Sequence, residues 1–148
     1  MRHLPLWIFV AGTILVVLPA GASERDDVLG KWLVEDKSGV IEIFKCKDKY
    51  CGRTVWIKPT ADHPDPAKKL DVQNPDPKKR SQKLLGKTVL WGLTYDPEER
   101  NFTDGSIYNS RNGKVYSCRV TLKSANELHL RGFIGISLIG QTTVWTRR

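Results

Sequence analysis

The chain has 148 residues, with 24 Lys and Arg against 16 Asp and Glu, a formal net charge of +8 and 40% hydrophobic content. That length suits one domain of average size and excludes a multidomain enzyme or a large α/β barrel. The apolar content is uneven: residues 1–22 hold 15 hydrophobic side chains and a single charge, Arg2, which leaves 44 hydrophobic residues among the other 126.

Met1-Arg2-His3 is a short basic start, and Leu4 to Leu18 is an apolar run broken only by Pro5, Gly12 and Thr13. Pro19-Ala20-Gly21-Ala22 follows, with small residues at both positions of an A-x-A site. This three-part pattern predicts a cleavable secretory signal over residues 1–22, cut between Ala22 and Ser23. The run is shorter than the roughly 20 residues a spanning helix needs. The remaining residues, 23–148, are expected to form one soluble periplasmic domain that is not transmembrane after cleavage.

Period-two alternation dominates from there on. An acidic turn, Glu24-Arg25-Asp26-Asp27, leads into a strand over Val28–Val34. Gly39–Cys46 and Cys51–Lys58 form a hairpin, and Thr88–Tyr95 and Ser106–Asn109 are further strands. Asn112-Gly113 is a hairpin turn signal. Lys114–Lys123, Glu127–Phe133 and Leu138–Arg147 complete the series. Short strands joined by tight turns predict an all-β antiparallel barrel or sandwich. Lys58–Lys87 interrupts it with five prolines, eight basic and four acidic side chains. Proline at that density rules out a central strand, so this is a long loop. A helical turn is expected around Lys78–Leu84, with Asp76 capping it and Pro77 at its first position.

Three cysteines are present: Cys46, Cys51 and Cys118. A four-residue loop, Lys47-Asp48-Lys49-Tyr50, would set Cys46 opposite Cys51, within disulfide range, and export allows the bond. Cys118 falls on the apolar side of its strand, which predicts a buried, inert thiol.

Three stretches together resemble the DUF2147 family of exported bacterial proteins. They are Gly30-Lys31-Trp32 with Gly39–Ile43 and Cys51–Trp56; Asp71-Val72-Gln73-Asn74-Pro75-Asp76-Pro77 leading into Leu84–Lys87; and Gly105–Tyr108, Gly113–Tyr116, Leu130-Arg131-Gly132 and Val144–Arg147. The resemblance spans about Leu29 to Arg147. It implies a lipocalin-like antiparallel barrel of about eight strands and no established activity. Family members often carry two more cysteines in the final hairpin, where this chain has Phe133 and Ile139. Lipocalin-type barrels commonly start with Gly-x-Trp and close with an arginine over the indole, which implies a Trp32–Arg147 pair with Arg148 as the lesser candidate. Such a contact is worth about 0.5–2 kcal/mol.

Motifs for chemistry are sparse. There is no Gly-x-Ser-x-Gly, and His63 and His129 are the only histidines after residue 22. His129 should point outward from its strand. Asp62, His63, Asp65, Asp71 and Asp76 match no spaced metal-ligand pattern, and no glycine-rich phosphate loop occurs. No catalytic residue, metal or cofactor is therefore assigned. A carboxylate pair such as Glu42 and Asp104 keeps an unrecognised envelope hydrolase as an alternative.

The favoured reading is a non-enzymatic barrel that binds a small apolar or amphipathic, lipid-like ligand. Trp56, Trp91, Tyr108 and Tyr116 are expected to line its cavity, and Arg80 or Arg131 to meet an acidic head. The 58–87 loop would cover one mouth. The basic charge predicts attraction to anionic envelope surfaces, since nucleic acid belongs to another compartment. The other alternative is a protein–protein interaction or envelope assembly module that uses the Lys78-Lys79-Arg80-Lys83 cluster to dock on an envelope protein.

Overall fold

Alternation of apolar and polar residues gives each strand one inward face, and a sheet with one apolar face can bury it by rolling up on itself. A computed structural model describes residues 24–136 and 138–148; the expected secretory signal lies outside the described residues. Eight antiparallel strands close into a barrel in strict sequence order. They are β1 Gly30–Leu33, β2 Gly39–Cys46, β3 Lys49–Ile57, β4 Thr88–Asp96, β5 Asn101–Asn109, β6 Lys114–Ser124, β7 Glu127–Phe133 and β8 Gly140–Arg147. The ring closes where β8 returns to β1, through Trp32↔Arg147 and Leu33↔Thr146.

Several boundaries differ from the sequence expectation. The residues before β1 form a 3₁₀ turn, Glu24–Val28, rather than extending the strand. Strand β5 starts at Asn101, because a register break between Phe102 and Gly105 disguises its alternation. The expected helical turn is a single 3₁₀ turn, Pro77–Lys79, with the Asp76 carboxylate accepting from the Lys78 N–H at 3.0 Å.

The hairpin pairs Cys46 with Lys49 and Phe44 with Cys51, so its turn is only Lys47-Asp48. The two cysteines are diagonal neighbours rather than opposite, with Cα atoms 5.8 Å apart, and they form a disulfide. So short a covalent loop stabilises by about 2 kcal/mol in the chain-entropy model.

The core fills one end of the barrel. Trp32, Ile43, Leu93, Phe102, Val120 and Leu128 are 0–2% exposed. The Tyr50 ring meets Phe102 edge-on, with centroids 5.1 Å apart. Burying side chains of this size contributes roughly 1.5–3 kcal/mol each. The first turn caps this end: the Asp26 carboxylate accepts from Lys45 Nζ at 3.0 Å and from the Tyr50 hydroxyl at 2.9 Å. Burial and the Asp26 carboxylate together push the Tyr50 phenol up to about 12. Cys118 is free and 1% exposed. Burial pushes its thiol up to about 12, which keeps it protonated and inert at neutral pH.

Arg147 completes the plug. Its guanidinium carbon lies 4.0 Å from the Trp32 ring centroid. Its nitrogens donate to the carbonyls of Ala125 at 2.7 Å, Leu29 at 2.7 Å and Asp27 at 2.5 Å. The indole N–H donates to the Val28 carbonyl at 2.8 Å. Gly30 has φ +116°, and a Cβ there would stand 3.0 Å from the Arg147 guanidinium, so glycine fits the conformation and leaves the arginine its place. Arg148 instead stacks on Trp56, 4.6 Å from its centroid.

Candidate ligand-binding cavity

The opposite end is hollow. A cavity of about 1270 Å³ opens there, reaching from the barrel wall to the 58–87 loop. Its apolar wall includes Ile41, Ile57, Ile107, Leu130 and Trp145, with Thr54 and Thr143 adding hydroxyls. The mouth is polar, with Glu35, Asp36, Lys68, Lys69 and Arg111 among its residues.

Two of the four expected aromatics line this cavity. Tyr116 does so, and its hydroxyl accepts from Asn112 Nδ2 at 2.9 Å. Tyr108 stands at its edge, 8% exposed. Trp56 and Trp91 do not line it. Both strands carry an extra residue that inverts the alternation. Val40 pairs with Trp56 and Ile41 with Thr54, which leaves Val55 unmatched. Inward-facing Thr54 is therefore followed by outward-facing Trp56. On β4, Leu90 and Leu93 pair with Gly52 and Tyr50, three steps against two. Gly92 sits in the break with φ +76°, and Trp91 is left 37% exposed outside.

The two arginines assigned to a ligand head also lie elsewhere. Arg80 is exposed on the loop and donates to the Asn74 carbonyl at 2.8 Å. Arg131 lies beside β8, donating to Thr142 Oγ1 at 3.1 Å and to the Leu138 carbonyl at 3.3 Å. The cationic side chains at the mouth are Lys68, Lys69 and Arg111. Arg111 is already engaged, bonding the Asp36 carboxylate and Ser38 Oγ. With Ser38 and Arg111 donating to it, Asp36 is held down at about 2 against a smaller opposing effect of burial.

A buried polar anchor ties the long loop to the barrel. Asp71 is 0% exposed. Its carboxylate accepts from the Tyr108 hydroxyl at 2.6 Å and from Asn74 Nδ2 at 2.7 Å, and pairs with Lys87 Nζ at 3.0 Å. Burial alone would raise the carboxyl, but the bonds from Asn74, Tyr108 and Lys87 outweigh it and hold it below its usual value. The loop is zipped on itself through Leu70↔Lys83. It also joins β3 through Gly86 N–H to the Thr54 carbonyl at 2.7 Å. Gly113 has φ +71°, and a Cβ there would stand 2.0 Å from the Gln73 carbonyl, so only glycine lets the loop reach the β5–β6 turn. In the sequence Asp71 stands out from the other three acids of the loop only by the Asn three residues later, within Asp71-Val72-Gln73-Asn74-Pro75.

The remaining candidates for chemistry are dispersed. His63 lies at the cavity mouth, whereas His129 lies outside the cavity, 2.8 Å from Glu127 Oε1. Glu42 pairs with Arg53 Nη2 at 2.7 Å, and Asp104 is exposed beside Thr103; neither lines the cavity. Asp65 and Asp76 cap 3₁₀ turns. Among the described residues, no group of three metal-binding side chains converges.

A family model matches residues 30–147, nearly all of the described barrel. The chain belongs to the DUF2147 family. That family is described as uncharacterized proteins conserved in bacteria. A solved structure of protein HP1028 from Helicobacter pylori, described as belonging to the lipocalin family, is similar over 82% of each chain, with 25% identity and a TM-score of 0.71. No curated protein matches the chain. The DUF2147 barrel described here thus shares its architecture with a lipocalin. Among the described residues, no helix is long and apolar enough to cross a membrane. The disulfide fits an extracytoplasmic location.

Proposed function

We propose that this DUF2147 protein is an exported, non-enzymatic barrel that binds a small apolar or amphipathic molecule in the periplasm. The observation that carries the reading is the open cavity of about 1270 Å³ with an apolar wall and a polar mouth. Binding sites are typically concave, mostly apolar and fitted with a few polar groups that orient the ligand. An aliphatic tail would lie along Ile41, Ile107 and Leu130, and an acidic head would meet Lys68 or Lys69 in place of Arg80 or Arg131. The likeness to HP1028, described as a lipocalin-family protein, supports small-ligand binding. The signal pattern of residues 1–22 and the Cys46–Cys51 bond support export.

The test is uptake of a fluorescent fatty-acid probe, with native mass spectrometry of the protein as purified. Wild type should bind the probe or arrive loaded. Ile107→Trp, which puts an indole into the hollow, should weaken uptake by tenfold or more while the barrel still folds. A wild-type protein that arrives empty and takes up no probe overturns the reading.

A further inference from the structure

The β7–β8 connection, residues 134–139, carries side chains that the barrel does not bury. Ile134, Ile136, Leu138 and Ile139 are 67%, 59%, 85% and 70% exposed. Turns between strands are normally polar, and a run of exposed aliphatics marks an interaction site rather than misplaced core. Gly135, with φ +76°, turns the chain at this tip. Ile134 and Ile139 border the cavity mouth, and so do Leu70 and Val72 from the 58–87 loop. Val72 is itself 62% exposed. The two loops therefore add apolar side chains to the rim of the otherwise polar mouth at the open end.

Charge on the loop half of that rim is mainly basic, while Glu35 and Asp36 lie on the other side of the mouth. The 58–87 loop has eight basic side chains against four acidic ones. Asp71 is buried in its own network, Asp65 and Asp76 cap turns, and Asp62 is the remaining exposed carboxylate. Among the described residues, Lys69, Lys78 and Lys83 meet no carboxylate. Exposed aliphatics flanked by unpaired lysines match the chemistry of an interfacial membrane contact, in which apolar tips enter the headgroup region and ammonium groups meet lipid phosphates. A second copy of this chain fits less well, because its equally basic rim would be repelled.

We infer that the open end of the barrel docks on an anionic phospholipid bilayer, with the 134–139 loop as the inserting tip and the 58–87 loop as its cationic flank. This surface adjoins the cavity mouth, but Ile136, Leu138, Lys78 and Lys83 lie outside the cavity lining, so docking can be tested separately from ligand binding.

The experiment is co-flotation of the chain from Ser23 onward with vesicles of phosphatidylethanolamine and phosphatidylglycerol, against vesicles of phosphatidylcholine. That chain contains the whole barrel and leaves out the apolar residues 1–22, which would bind vesicles by themselves. Wild type should float with the anionic vesicles and far less with the neutral ones, and added salt should release it. Ile136→Asp with Leu138→Asp should weaken binding at least tenfold. Lys78→Gln with Lys83→Gln should weaken it about fivefold for each charge removed. None of these four residues lines the cavity. Fatty-acid probe uptake and the melting temperature should therefore stay at wild-type values, which separates loss of docking from loss of ligand binding or fold. The inference is overturned by wild type that does not float, by flotation that ignores the tip variant, or by equal flotation on both vesicle types. Concentration-dependent dimers dispersed by the tip variant also overturn it, assigning the patch to a second copy.

Discussion

At one end of the barrel Trp32, Tyr50 and Phe102 fill the interior and Arg147 lies across the indole; at the other, the same eight strands surround a hollow of about 1270 Å³. Strand number and pairing are shared by both ends, so neither explains the difference. What stands inside does. At the plugged end Trp32, Tyr50 and Phe102 belong to one buried cluster, whereas at the open one Ile41, Thr54, Ile107 and Thr143 are among the side chains around the hollow. An eight-strand barrel is just wide enough for either outcome. The polar chemistry divides less cleanly. The plug is held by an arginine bonded to backbone carbonyls and by the Asp26 carboxylate, the open end by two carboxylates, Asp71 and Asp36.

Substitutions can break this contrast in order of expected size. Trp32→Ala should cost about 3–5 kcal/mol, because it deletes a fully buried indole and strands Arg147 above the gap. Denaturant unfolding reads this directly, and a variant as stable as wild type would show that the plug does not hold the barrel. Asp71→Asn should cost about 1–3 kcal/mol by weakening charge-assisted bonds to Lys87 and Tyr108. Its clearest readout is faster proteolysis within residues 58–87, with the plugged end still resistant. Trp91→Ala, on the outer face, should change stability by less than about 0.5 kcal/mol. A large loss there would mean that the bulged register at Gly92 is wrong.

Acid sharpens the comparison further. Asp71 and Asp36 have lowered folded values, and so does Asp26 at the plugged end. Their contributions are complete above the ordinary carboxylate range near 4 and are lost as pH falls through the folded values. Wild type should therefore lose stability as pH falls below about 4, with the 58–87 loop becoming protease-sensitive once Asp71 is protonated. Asp71→Asn should flatten part of that acid limb.

Much of this architecture was legible in the residues. Alternation located every strand, several to within a residue, because a half-buried strand must repeat with period two. The Gly-x-Trp opening and the terminal arginine gave the partners seen in the plug. Facing was less legible. Trp56 and Trp91 carry the parity of inward residues, and register breaks at Val55 and around Gly92 reverse them; bulges leave little trace in composition. Asp71 was hidden for another reason: its partners Tyr108 and Lys87 come from distant chain positions, and only the fold brings them together. The aliphatics near Leu138 looked like the start of β8, yet pairing begins at Gly140.

The β1–β8 seam has a kinetic consequence. Every other ladder joins strands consecutive in sequence, and all of these but β3–β4, which spans the 58–87 loop, can form by zipping from a short connection. The ring closes only when Leu33 and Trp32 meet Thr146 and Arg147, the two ends of the barrel chain. Closing so long a loop is the costliest step in conformational entropy. The Trp32–Arg147 contact stands at that junction, a clasp fastened last. Unfolding that begins by parting β1 from β8 must undo it first, which makes this one aromatic–guanidinium pair a control on the lifetime of the folded barrel as well as on its stability.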